Sequence, residues 1–134
     1  MKRLPLLLIA ALTLLLAACS QPTASPELEG EWAGNVGVLP VSFEVQPGGY
    51  VYANSFRIEH DGETLTVDVS SQADGTSIVI SVVAVHSNGD SMTFTLNGEV
   101  NGNTLSGDYQ LTVVVNGESS TASGTFSLNR VTGT

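Results

Sequence analysis

The sequence predicts an all-β domain, an eight-stranded antiparallel up-and-down barrel, and three observations point to it. From about residue 30 onward apolar residues recur with a period of two, and no stretch shows helical periodicity. Turn signals fall at Leu39-Pro40, Pro47-Gly48-Gly49, Asp61-Gly62, Asp74-Gly75, Asn88-Gly89, Asn101-Gly102 and Asn116-Gly117, which leaves eight strands between them. Asn-Gly and Asp-Gly supply the positive φ angles that tight hairpins need. Every link is short, so neighbouring strands run antiparallel, because parallel pairing needs a long crossover. Closing strand eight onto strand one removes both exposed edges. A meander β-sandwich is the alternative, since strand parity alone does not show closure.

The chain ahead of this domain has a different pattern. Lys2 and Arg3 form a basic start, and an apolar run from Leu4 to Ala18 follows, broken only by Pro5 and Thr13. That is a secretory signal, shorter than the about 20 apolar residues of a transmembrane helix. It ends Leu16-Ala17-Ala18-Cys19, which resembles the lipobox of bacterial lipoproteins. The resemblance implies that residues 1–18 are a cleaved signal peptide. It also implies that Cys19 carries diacylglycerol on its sulfur, with a further acyl chain such as palmitate on the new N-terminus. A thioether requires a nucleophilic sulfur, and each buried methylene adds roughly 0.8 kcal/mol of membrane affinity. Location in the bacterial cell envelope follows. Ser20 rather than Asp after the cysteine resembles the pattern sorted to the outer membrane in a Gram-negative cell. Residues 19–29, with two prolines and small polar or acidic residues, read as the acylated cysteine and a flexible tether, and residues 30–134 as the barrel domain.

Composition limits the function. Removing the signal takes away Lys2 and Arg3, so the −9 of the whole chain becomes −11, with only Arg57 and Arg130 against 13 acidic residues. Such a surface offers nothing to nucleic-acid phosphates and is repelled by anionic headgroups. Cys19 is the only cysteine, so no disulfide can staple the domain. A chain of this length buries one core.

Strand parity sorts inside from outside. Met92, Phe94 and Leu96 share one face of strand six, and Leu105, Gly107, Tyr109, Leu111, Val113 and Val115 share one face of strand seven. Strand four does the same with Leu65, Val67 and Val69. Strand five, Ile78 to Val85, is apolar on both faces, which suggests a cover from the tether, a partner or the membrane. Ser106-Gly107-Asp108-Tyr109 and Ser123-Gly124-Thr125-Phe126 repeat an inward glycine and aromatic. Glycines there let a coiled strand bend.

The domain begins Gly30-Glu31-Trp32-Ala33-Gly34 and ends Leu128-Asn129-Arg130-Val131. This resembles the calycin superfamily, and within it the lipocalins, whose first strand carries Gly-x-Trp and whose last strand ends in an arginine packed over that tryptophan. The resemblance implies that Trp32 and Arg130 form a barrel-closing pair by a cation–π contact, worth roughly 0.5–2 kcal/mol. Lipocalins are longer and follow the last strand with a helix that has no counterpart here. Gly30-Glu31-Trp32 and Asn35 are also similar to the start of avidin, but avidins line their biotin site with several tryptophans and this chain has one.

No catalytic group emerges, so the expected class is not an enzyme. There is no Gly-x-Ser-x-Gly elbow, and the two histidines, His60 and His86, sit at turns. No metal or cofactor is expected, since the acids at Asp61, Asp74 and Asp90 occupy separate hairpin tips. Two functions remain. In the first, the barrel binds a small apolar ligand, with Tyr50, Tyr52, Asn54, Phe56, Phe94 and Tyr109 lining the cavity. In the second, the core is solid and the lipoprotein meets another envelope protein, as a structural partner or a protease-inhibitor type.

Overall fold

The computed structural model describes residues 23–58 and 65–132. Cys19 and the signal, and the His60-Asp61-Gly62 turn, lie outside the described residues. The strands are β1 (Gly30–Val36), β2 (Leu39–Val45), β3 (Arg57–Ile58), β4 (Leu65–Asp74), β5 (Ser77–His86), β6 (Ser91–Asn101), β7 (Thr104–Val115) and β8 (Glu118–Arg130). They form one antiparallel up-and-down sheet in the order β3-β2-β1-β8-β7-β6-β5-β4. Strands one and eight do pair, from Trp32 opposite Arg130 to Asn35 opposite Ser127. The open seam lies between β3 and β4, so the sheet curls as a half-barrel whose long wall is β4 to β8.

A side chain and the N-terminal segment bridge that seam at its lower end. The Ser71 hydroxyl accepts from the Val51 N–H at 2.9 Å and donates to the Gly49 carbonyl at 3.0 Å. A hydroxyl can do both at once, so it stands in for a ladder pair. Beside it, the Gly75 N–H donates to the Thr23 carbonyl at 2.8 Å and the Ser25 N–H to the Gly75 carbonyl at 2.7 Å. The stretch expected to be a flexible tether is therefore built into the body from Thr23. It continues as a 3-10 turn, Pro26–Leu28, with the Ser25 hydroxyl accepting from the Glu27 N–H. Leu28, its one large apolar side chain, is fully buried.

The core follows strand alternation. Ile78, Ile80, Val82 and Ala84 of β5 face Met92, Phe94 and Leu96 of β6, and Leu105, Phe126 and Leu128 continue the layer. Tyr109, Leu111 and Val113 of β7 are half-buried against it, as are Val67 and Val69 of β4. Val115 is an exception to the expected inward row, because it reaches the exposed β7–β8 tip. The outer valines of β5, Val79, Val83 and Val85, are exposed, and the segment from Thr23 to Glu29 does not cover them.

Two local differences have simple causes. The first hairpin turns at Gly37-Val38, not at Leu39-Pro40, since Gly37 adopts the positive φ of 62° the turn requires. Pro40 instead sits near the start of β2, where a missing N–H is tolerated. The inward glycines serve close approach: a Cβ on Gly107 would lie 1.9 Å from the Asn97 carbonyl oxygen, and one on Gly124 would lie 3.0 Å from the Tyr109 ring.

The first of these contacts is backbone against backbone, so it cannot relax by a rotamer change. Gly107→Ala is expected to destabilise the domain by about 2 kcal/mol or more in urea unfolding, while Ser106→Ala on the outer face shifts it by less than about 0.5 kcal/mol.

Candidate functional site

The closed end is assembled around one arginine. Trp32 on β1 is fully buried and its indole N–H donates to the Leu28 carbonyl at 2.9 Å. The Arg130 guanidinium, from the paired position on β8, lies 4.3 Å from the indole centroid. Its Nη1 donates to the Glu29 carbonyl and its Nη2 to the Glu27 carbonyl, both at 2.6 Å, with a longer bond of 3.4 Å to the Gly102 carbonyl. One side chain thus ties together β1, the 3-10 turn and the β6–β7 turn. Gly30 makes the geometry possible: its φ is 125°, and a Cβ there would press on Nη1 at 3.0 Å. The carbonyls at the end of the 3-10 turn are acceptors with no ladder partner, and a planar donor fork suits them.

The residues expected to line a cavity do not converge. Phe56 and Phe94 are buried and tilted against each other, with ring centroids 5.7 Å apart, and Phe43 stacks on Phe56 at 5.4 Å. Tyr109 is half-buried across Gly124, and its hydroxyl lies beside Gly37. Tyr50 and Tyr52, by contrast, are each 57% exposed, and Asn54 is exposed as well.

The inward row expected for strand three is thus corrected. From Val51 to Phe56 the segment is not a strand, and β3 is only Arg57–Ile58. The chain forms a small turn, closed by the Gln46 N–H to the Tyr50 carbonyl, and then a 3-10 turn at Ala53–Ser55. That turn breaks the period of two, so Val51 and Phe56 point inward and the tyrosines outward. Asn54-Ser55 carried the missed signal: the Ser55 hydroxyl donates to the Tyr52 carbonyl at 2.9 Å, the self-capping that such residues favour.

The acids and histidine at the opposite end have structural work. The Asp90 carboxylate accepts from the Asn116 N–H at 3.1 Å and from the Asn88 amide at 3.2 Å. It joins the β5–β6 and β7–β8 turns and steadies Asn116, whose φ is 53°. His86 Nδ1 accepts from the Asn88 N–H at 3.4 Å. Among the described residues no group of three or more His, Cys, Asp or Glu side chains is placed to hold a metal ion. No helix among them is long and apolar enough to cross a membrane.

Removing the guanidinium leaves the Glu27 and Glu29 carbonyls without this donor and uncovers the indole. Arg130→Ala should lower stability by about 3 kcal/mol, and Arg130→Lys by less, as measured by urea midpoints. Phe56→Ala should cost about 3–4 kcal/mol, whereas Tyr52→Ala stays within about 0.5 kcal/mol by the same measurement. No protein-family model matches the chain, and no curated protein or solved structure matches it either.

Proposed function

We propose that this chain is a non-enzymatic lipoprotein of the bacterial cell envelope, held by acyl chains on Cys19, with a solid barrel-like domain that makes protein contacts. The observation that carries the second half is the ring cluster. Phe43, Phe56 and Phe94 fill the space between β2 and β6 with one another, and Tyr50 and Tyr52, two of the expected polar handles, stand on the outer surface. Specific small-molecule sites combine apolar walls with a few converging polar groups, and here the polar members are turned away.

The first half rests on the sequence of the signal and Leu16-Ala17-Ala18-Cys19. The likeness to calycins rests on Trp32 and Arg130 and the eight-strand layout. A second reading, a small apolar ligand at the upper mouth, is favoured by the half-buried Tyr109, Leu111 and Val113 on the concave face of β7.

Two measurements test these readings. In bacteria fed an alkyne fatty acid, the full chain should take up label and sediment with membranes, and Cys19→Ser should lose both; label retained by the variant would overturn the anchor. Native mass spectrometry of the mature protein released from detergent should give the mass of the lipidated chain, or a whole multiple of it, without a bound small molecule. A stoichiometric adduct lost on Leu111→Asp would favour the ligand reading instead.

A further inference from the structure

Strand β8 outgrows its neighbour. β1 covers it only from Ser127 to Arg130, and β7 covers it over its whole length, from Asn129 opposite Thr104 to Glu118 opposite Val115. The direction of its backbone groups is fixed by two bonds. The Val131 N–H donates to the Glu31 carbonyl on the β1 side, and the Arg130 N–H to the Asn103 carbonyl on the β7 side. Antiparallel ladders alternate, so odd-numbered residues of β8 aim their N–H and C=O groups toward the β1 side. Beyond the last β1 pair, Ser119, Thr121, Ser123 and Thr125 therefore present donors and acceptors to an edge with no strand on it among the described residues. All of Glu118 to Thr125 is exposed.

This edge lacks the usual guards. Natural edges carry proline, lysine, a bulge or a cover to prevent pairing. Here the β7–β8 ladder runs without a bulge, and from Ser119 to Asn129 there is neither a proline nor a charged residue. The side chains beside the edge are hydroxyls, and the opposite face holds the small Ser120, Ala122 and Gly124.

We infer that the β8 edge from Ser119 to Ser123 pairs antiparallel with the same edge of a second copy, across a two-fold axis near Thr121. The inference deepens the protein-contact reading above, and rests on it, by naming the partner. The strand is nearly symmetric about Thr121, so the axis sets Ser119 opposite Ser123 and Thr121 opposite itself. Cross-strand hydroxyl pairs of this kind are favourable, and a two-fold interface requires a patch that complements itself. The chain is strongly anionic and repels itself wherever acids meet, but along this stretch no acid meets another. A basic partner would find no carboxylate between Ser119 and Thr125 to hold it.

The test uses the mature lipoprotein in nonionic detergent. Two differently tagged wild-type copies should co-purify. Two Thr121→Glu copies should co-purify roughly tenfold less, because like charges then face each other across the axis. A Thr121→Glu copy mixed with a Thr121→Lys copy should recover the wild-type level. Thr121→Cys supplies an independent readout on a strand whose outward position tolerates small changes. In an antiparallel hydrogen-bonded pair the two α-carbons are about 5.5 Å apart, within disulfide reach, so air oxidation should yield a covalent dimer that Ser106→Cys on β7 does not form. Wild-type copies that fail to co-purify, or charge variants that pair as well as wild type, or equal cross-linking at Ser106, would each overturn the pairing. None of these outcomes touches the fatty-acid label or the presence of a small-molecule adduct in the native mass, which test the underlying reading separately.

Discussion

A curled sheet of eight strands needs something to hold its two parts together, because β1 to β3 are short and β4 to β8 are long. Arg130 supplies that hold. It leaves β8, lies over Trp32 of β1, and donates to carbonyls of the N-terminal turn and the β6–β7 turn. A cation on an indole face contributes about 0.5–2 kcal/mol, and hydrogen bonds from a charged donor about 1.5–3 kcal/mol. The contact also sets register. With Trp32 opposite Arg130, every other β1–β8 pair follows, and the inward parity of Val36 and Leu128 is fixed with it. Leu28 is placed by the same device, since the Trp32 indole N–H and the Arg130 fork both bind the segment that carries it.

Much of this was legible in the chain. A period of two is a strong signal where one face is buried and the other wet, and β6 obeys it from Met92 to Val100. Gly30 with Trp32 at one end and Arg130 at the other were readable through their likeness to the Gly-x-Trp and late-arginine pattern of lipocalins. The Tyr50–Ile58 stretch misled because its alternation is real in the sequence but interrupted in space. A 3-10 turn of three residues shifts parity, and only the Asn54-Ser55 pair hints at it. Residues 23–29 misled for a different reason. Their composition is that of a linker, yet the buried Leu28, the backbone bonds to Gly75 and the Arg130 fork dock them. Average polarity describes a segment poorly when one side chain provides its burial and its backbone groups find partners elsewhere in the fold.

The long and short halves of the sheet divide the labour. The lower end is tied by side chains: Arg130 at the β1–β8 junction and the Ser71 hydroxyl at the β3–β4 seam. The upper end is held by turns, through the Asp90 carboxylate that spans from one hairpin tip to the next. Between them the wall of β5 to β8 carries most of the apolar core. That arrangement leaves β4 facing the open seam, and the first half of β8 without a strand on its β1 side among the described residues.

For the proposed anchor on Cys19, the docked N-terminal segment sets the length of the leash. Thr23 is already bonded to Gly75 at the closed end, so an acylated Cys19 has only the chain from 19 to 23 between it and the folded body. At about 3.5 Å per residue that spans roughly 14 Å at most. For such an anchor the closed end is the part nearest the bilayer, and Glu27, Glu29 and Glu31 would be repelled by any anionic headgroup inside the screening length of about 8 Å in physiological salt. Two copies joined antiparallel at β8 carry their closed ends at opposite ends of the joined sheet. Both leashes then reach one bilayer only if the strands lie along its plane; otherwise the pair reaches from one surface to another facing it.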